Sequence, residues 1–185
     1  VRAPVVAITG SNGKSTVTTL VGLVAESEGL NVGVGGNLGT PMLELINSSR
    51  DLYVLELSSY QLELVDDMHG AISCILNITP DHIDRHKTIQ NYIASKSNIL
   101  KGASITLLNK DDPVVSSIKI NAEKKYFSLS DVNKNLSSMD AKNSNRHISF
   151  EDGSSTILDD IILNGEHNLS NILAALKLCK LAGLS

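Results

Sequence analysis

An α/β fold with a largely parallel sheet flanked by helices is predicted by these 185 residues. Three observations carry that expectation. Apolar strand candidates alternate with helix-period segments along most of the chain. The runs VVAI (5–8), LYVLEL (52–57) and AISCILN (71–77) are apolar throughout, as buried strands of a parallel sheet are. The first of them passes through a glycine-bearing turn into a helix start, Thr9-Gly10-Ser11-Asn12-Gly13-Lys14-Ser15-Thr16. That arrangement suits polyphosphate.

The turn suits anions for physical reasons. Glycines let backbone N–H groups approach a ligand, and the free N–H groups and dipole at a helix start favour negative charge. Lys14 adds a mobile positive charge, and the Ser15 hydroxyl can take a place on Mg²⁺. Val17, Leu20, Val21 and Val24 recur as the buried stripe of the following helix. The loop is of P-loop type but shortened. The strict pattern G-x-x-x-x-G-K-[ST] needs a glycine at position 8, where Ile8 stands.

The remaining elements follow in order. A short strand at 31–34 runs into Gly35-Gly36-Asn37-Leu38-Gly39-Thr40-Pro41, with Thr40 as N-cap and Pro41 at the first position of a helix. This loop reads equally well as a second anion contact or as a tight turn. Glu56 lies near the carboxyl end of the strand at 52–57, where open α/β sheets place ligands, as an Mg²⁺ partner or as a glutamate paired with a lysine. Residues 58–62 form a polar connection at the same end. The strand at 71–77 leads to the cluster Thr79-Pro80-Asp81-His82-Ile83-Asp84-Arg85-His86, with a short helical turn over 81–86. His82 and His86 stand four apart, but no cysteine or glutamate lies at ligand spacing, which argues against zinc.

A helix is expected over 88–100, a strand over 104–109, a helix over 113–120 and a strand over 125–128. Asn109-Lys110-Asp111-Asp112 fits the guanine-reading N-K-x-D, and Asp67-Met68-His69-Gly70 fits D-x-x-G. The latter precedes a strand instead of ending one, and together with the short loop this disfavours a GTPase. Residues 130–155 turn polar and read as a small β-hairpin excursion, with strands at 148–151 and 156–158. The last helix runs to Leu181, with Gly183 at its C-terminal cap. Asn168 and Asn171 share a face of its first turn; Asn168 is either a reader of a purine edge or an N-cap.

Composition bounds the partners. Apolar residues make up 42% and charged residues 19%, with a net charge of −4, so nothing favours nucleic acid or an anionic membrane. No apolar run reaches membrane-spanning length, and no signal peptide opens the chain. Cys74 and Cys179 read as buried reduced thiols of a cytoplasmic protein. One domain spanning 1–185 is expected.

Four stretches, TGSNGKST, LELSSYQLE, NITPDHIDRH and GEHNLSNILAA, together resemble the central ATP-binding domain of the Mur ligases, in matching order over essentially the whole chain. The short phosphate loop is that family's own form. GVGGNLG and LELSSYQL most resemble the members that add D-glutamate; other Mur ligases, folylpolyglutamate synthase-like ligases and a non-catalytic nucleotide-binding domain are the alternatives. The resemblance implies an ATP-dependent amide ligase of peptidoglycan synthesis, a monomer acting on UDP-N-acetylmuramoyl-L-alanine and D-glutamate through an acyl phosphate. It implies ATP held by Gly10, Ser11, Asn12, Gly13, Lys14, Ser15 and Thr16, with Asn168 and Asn171 on the adenine side. It implies two Mg²⁺ ions, the first on Ser15 and Glu56, the second on His82, with Lys96, carbamylated into an anion able to hold Mg²⁺, as a further metal ligand. Asn37, Ser58 and Gln61 resemble substrate-binding positions, and Lys14, His82 and Lys96 carry catalysis. The family's flanking domains, one gripping uridine diphosphate and one binding the amino acid, find no counterpart here, so this stretch alone is expected to make no amide bond.

Overall fold

A computed structural model describes residues 3–131, 147–149, 155–157 and 165–184. The chain runs β1 (Val5–Thr9), α1 (Lys14–Ser27), β2 (Val32–Gly36), β3 (Leu52–Glu56), α2 (Ser59–Leu62), β4 (Ile72–Ile75), α3 (Ile83–His86), α4 (Ile89–Ser97), β5 (Ile105–Asn109), α5 (Pro113–Ser116), β6 (Glu123–Phe127), β7 (His147–Ser149), β8 (Ser155–Ile157) and α6 (Glu166–Leu181). Six strands form one parallel sheet in the order β2-β3-β1-β4-β5-β6. β7 and β8 pair antiparallel as the expected hairpin. The rest of the polar excursion, including the outer ends of its two expected strands, lies outside the described residues.

Both sheet faces are covered, which is why the central strands read as apolar runs. Side chains alternate along β1. Val6 and Ile8 pack with Val17 and Val21 of α1 and Ile172 and Leu173 of α6, while Ala7 faces the opposite core with Leu62, Tyr92 and Ile99. Lys177 of α6 donates to the Tyr126 carbonyl of β6 at 2.9 Å, fastening the last helix to the far strand. The helix ends in a Schellman turn, with Gly183 N–H on the Lys180 carbonyl and Leu184 N–H on the Cys179 carbonyl. Gly183 therefore stands where the sequence placed it.

β1 lies between β3 and β4, where the chain order reverses, so the crevice outside its carboxyl end is the ligand position of an open α/β sheet. Three local expectations are corrected. Thr40 caps no helix: the segment after Pro41 is a single 3₁₀ turn, Met42–Leu45, and the Thr40 carbonyl instead accepts from Gly36 N–H at 2.8 Å. The helix expected over 113–120 is a single turn, Pro113–Ser116, capped by Asp112. Residues 58–62 are not a plain connection but carry α2, started by a reciprocal capping box between Ser58 and Gln61.

The glycine-rich loop after β2 is a tight turn. Gly36 sits at φ 107°, and an added Cβ would overlap the Glu56 carbonyl, which is backbone and cannot swing aside. Gly36→Ala should therefore lower the unfolding free energy by about 2–3 kcal/mol. Urea denaturation checks this; an unchanged midpoint would show that the turn relaxes around the methyl group.

Candidate active site

The phosphate loop is four residues long, from Gly10 to Gly13, between the end of β1 and the start of α1. Its left-handed residue is Gly13, at φ 82°, where a Cβ would strike the Asn171 side-chain amide. The first helical bond runs from Val17 N–H to the Gly13 carbonyl at 3.0 Å. Among the described residues, the N–H groups of Gly13, Lys14, Ser15 and Thr16 make no hydrogen bond. The first turn of α1 carries no acidic side chain of its own, so the free N–H groups keep their affinity for an anion. The N–H groups of Ser11 and Asn12 are committed elsewhere, to the Asn77 carbonyl at 3.0 Å and to Asn77 Oδ1 at 2.8 Å.

Two lysines meet at this loop. Lys14 Nζ folds back onto the Gly10 and Ser11 carbonyls at 2.9 and 3.0 Å. Lys96, on α4 and 2% exposed, donates to the same Gly10 carbonyl at 2.8 Å and lies 3.4 Å from Thr9 Oγ1. Its ammonium stands 4.8 Å from the centroid of the Tyr92 ring, one helical turn earlier. Neither lysine makes an ion pair among the described residues. Burial, and then repulsion from Lys14, pulls the Lys96 amine down to about 7, against partial support from Asp81 and Glu56.

Glu56 closes the site from β3. Its position is interior, paired with Ile8 of β1 and Gly36 of β2, and it meets no lysine. Ser15 donates to Glu56 Oε2 and Asn37 Nδ2 to Oε1, each at 2.8 Å. The turn after β2 thus delivers Asn37 to Glu56. Its own Gly36 and Asn37 N–H groups bond to the Thr40 and Glu56 carbonyls, so they do not form a second anion contact. A serine hydroxyl beside a carboxylate is a hard-oxygen pair that fits Mg²⁺. No group of three His, Cys, Asp or Glu side chains among the described residues forms a cage. That agrees with an ion that takes one or two protein ligands and completes its shell from phosphates and water.

The remaining sequence candidates are distributed around this centre. Ser58 and Gln61 are occupied with each other, through Ser58 N–H and Oγ to Gln61 Oε1 at 2.9 and 3.0 Å. His82 is half-exposed, in a left-handed conformation at φ 50°, and lies 3.5 Å from Asp81. Its ring and the Lys96 ammonium flank the same Tyr92 ring. His86 is buried between Glu63 at 3.2 Å and Ser59 Oγ at 2.9 Å, stacked on Tyr60. The two histidines have different polar partners, while both rings lie against Tyr60 and Tyr92. Asn171 lies against Gly13, and Asn168 is the third residue of α6 rather than its N-cap, which is Gly165. Thr16 stands at the open helix start.

The GTPase-like motifs are structural corners. Asp112 caps α5 with Oδ1 and accepts from Ile78 N–H with Oδ2, and Asn109 donates to the Leu76 carbonyl. Asp67 lies against Gly102 at the amino edge of the sheet, away from the phosphate loop. Residues that the sequence did not single out are Thr9, Asn77, Asp81 and Tyr92. Of these, Tyr92 was within reach, since it stands one helical turn before Lys96 on α4.

Residues 8–179 match the profile of the family described as Mur ligase middle domain. Similar curated proteins include the UDP-N-acetylmuramoylalanine–D-glutamate ligases of Methylococcus capsulatus, 43% identical over 185 residues, and Legionella pneumophila, 40% identical over 190 residues. These alignments cover 99% and 100% of this chain but 40% and 42% of those proteins, so the chain spans well under half the length of these relatives. A UDP-N-acetylmuramoyl-L-alanyl-D-glutamate–2,6-diaminopimelate ligase structure superposes with TM-score 0.75 at 21% identity, over 99% of this chain and 44% of its own. A pseudomurein peptide ligase type C from Methanothermus fervidus superposes with TM-score 0.73 at 20% identity, over 100% and 47%. These likenesses show the fold.

The buried amine has a pH signature. Its proton is bound less tightly in the folded state, near 7, than in the unfolded chain, near 10.5. The burial penalty is complete below about 7 and relieved as pH rises, so stability should increase from pH 7 to about 8.5 in CO₂-free buffer. Above that range the cysteines oppose the trend, because burial pushes Cys179 up to about 11 and raises Cys74 further. Lys96→Met should flatten the rise in urea midpoint; an unchanged slope would assign it to another group.

Proposed function

This chain belongs to the Mur ligase middle domain family, and from that premise we propose that it is the ATP-binding core of a cytoplasmic ligase joining D-glutamate to UDP-N-acetylmuramoyl-L-alanine. One observation carries the reading: two lysines with no ion-pair partner among the described residues converge on the Gly10 carbonyl, beside open helix-start N–H groups and the Ser15–Glu56 pair. The similarity to D-glutamate ligases supports the choice of substrate. No described helix is long and apolar enough to cross a membrane.

The residues divide the work by their chemistry. The N–H groups of residues 13–16 receive the outer phosphates, and Lys14 leaves the loop carbonyls to follow them. Ser15 and Glu56 would hold Mg²⁺, which would supply charge neutralisation to the phosphates. Asn37 keeps the Glu56 carboxylate turned toward Ser15. The substrate carboxylate oxygen attacks the γ-phosphorus, ADP departs, and an acyl phosphate forms. The D-glutamate nitrogen then attacks the acyl carbon and loses a proton as inorganic phosphate leaves. Phosphoryl transfer of this kind rests on positioning and electrostatics, which the two lysines and the helix-start N–H groups provide.

Lys96 is the group that changes character. An amine held near 7 is substantially neutral at physiological pH, so its nitrogen can attack CO₂, form an N–C bond and release a proton. The resulting carbamate carries negative charge, which together with His82 forms the second cation position. Asn168 and Asn171 stand at the α6 start for the adenine, and Ser58 and Gln61 lie at the substrate side once their mutual bonds open.

Thermal-shift titration tests the nucleotide site. Mg-ATP at one hundred times its Kd should stabilise the chain by about 2.7 kcal/mol, and Lys14→Ala should abolish the effect. A preference for Mg-GTP would overturn the reading, and no shift with either nucleotide would place the nucleotide site beyond these residues. The 185 residues alone should release no phosphate with ATP, UDP-N-acetylmuramoyl-L-alanine and D-glutamate together. Turnover at the rate of an intact ligase would show that the core is self-sufficient.

A further inference from the structure

The phosphate loop is held from outside. Five hydrogen bonds join it to the chain leaving β4: Ser11 N–H to the Asn77 carbonyl, Asn12 N–H to Asn77 Oδ1, Asn77 Nδ2 to the Asn12 carbonyl, Thr79 N–H to Ser11 Oγ, and Ser11 Oγ to the Thr79 carbonyl. A sixth comes from α4, where Tyr92 Oη lies 3.0 Å from Ser11 Oγ. Ser11 has one hydroxyl proton and two lone pairs. Its oxygen takes Thr79 N–H, and its proton is shared between the Thr79 carbonyl and the bond to Tyr92, in which either hydroxyl can be the donor. The tyrosine is 1% exposed.

These bonds hold the part of the loop that the lysines leave alone: Lys14 and Lys96 engage the Gly10 and Ser11 carbonyls, and the Asn12 peptide groups fall to Asn77. The loop is shortened, and Ser11 and Asn12 are ordinary L residues with negative φ, so glycine sets the turn only at Gly13. Without Asn77, the Asn12 peptide has both its N–H and its carbonyl freed. Without the Tyr92 hydroxyl, Ser11 loses one of three partners. We propose that Asn77 and Tyr92 are positioning residues of the phosphate site, holding Ser11 and Asn12 so that the N–H groups of residues 13–16 stay free and fixed for a nucleotide polyphosphate. This inference rests on the phosphate reading above and deepens it. The strut also has a second end: the same stretch continues through Thr79 to Asp81 and His82. It links the phosphate loop directly to the segment that carries His82.

A positioning role separates from a stabilising one, because the Asn77–Asn12 bonds are solvent-exposed and add little to global stability. The loop becomes an ensemble when they are lost, and apparent affinity falls by the fraction still competent to bind. Calorimetric titration of Mg-ATP should show about tenfold weaker binding to Asn77→Ala and a smaller loss for Tyr92→Phe, which keeps the ring beneath Lys96. Urea midpoints without nucleotide should stay close to that of the parent chain. Binding within twofold of the parent by both Asn77→Ala and Tyr92→Phe, while Lys14→Ala fails to bind, overturns this inference and leaves the phosphate site intact. Affinity that falls only in step with the urea midpoint makes both residues structural and overturns it too. A parent chain that does not bind Mg-ATP removes the phosphate reading and this inference with it.

Discussion

The pairing of β1 with β3 on one side and β4 on the other is the constraint from which the site follows. Leu57 N–H bonds to the Ile8 carbonyl and Leu76 N–H to the Thr9 carbonyl, each at 2.9 Å, while Thr9 Oγ1 reaches the Leu57 carbonyl at 2.7 Å. The register sets Glu56 opposite Ile8 and Ile75 opposite Thr9. A parallel ladder cannot slip by one residue without turning every buried side chain to the wrong face. The apolar faces of β1, β3 and β4 thus dictate that the phosphate loop, the Glu56 carboxylate and Asn77 emerge together at one edge.

What collects at that edge is costly to assemble. Lys96 is buried with no ion-pair partner among the described residues, close to a second lysine, and an amine in that position loses much of its affinity for a proton. Sites that concentrate one sign of charge work against folding, and the surrounding core offsets the strain. Here the offset comes from both faces of the sheet. Ile172 and Leu173 of α6 press on one side of β1, and Leu62, Tyr92 and Ile99 on the other. Tyr92 belongs to the second core and to the site at once. Its ring packs with apolar neighbours while its hydroxyl meets Ser11 and its face meets Lys96.

The same edge shows how polar motifs acquire different fates. Asn109 to Asp112 resembles a base reader in one dimension, yet its side chains cap α5 and tie β5 to the chain after β4. His82 and His86 have the spacing of a metal pair and both lie against the Tyr60 and Tyr92 rings, yet the buried His86 takes Glu63 and Ser59 as polar partners while the half-exposed His82 faces Asp81. The likeness to ligase structures at about one-fifth sequence identity fits this picture. Sheet order and loop placement withstand extensive substitution, because packing constrains side-chain volume and face more than identity.

Local sequence suffices for the fold class, the glycine turn before α1, the order of the strands along the chain and the places of Lys14, Ser15 and Glu56 at a helix start and a strand end. Each of these is written in local signals: apolar runs, a glycine turn before a helix, a carboxylate at a strand end. The length of the helix after Pro113 and the turn after Pro41 were misjudged, because proline and cap residues start an element without saying how far packing lets it run. Only the tertiary structure decided that Ser15, Asn37 and Glu56 share hydrogen bonds, that Lys96 joins Lys14 on one carbonyl, and that Asn77 and Tyr92 grip the phosphate loop. Those contacts join residues separated by 19 to 86 positions. No local propensity encodes them; the parallel register and the helices packed on either face bring them together.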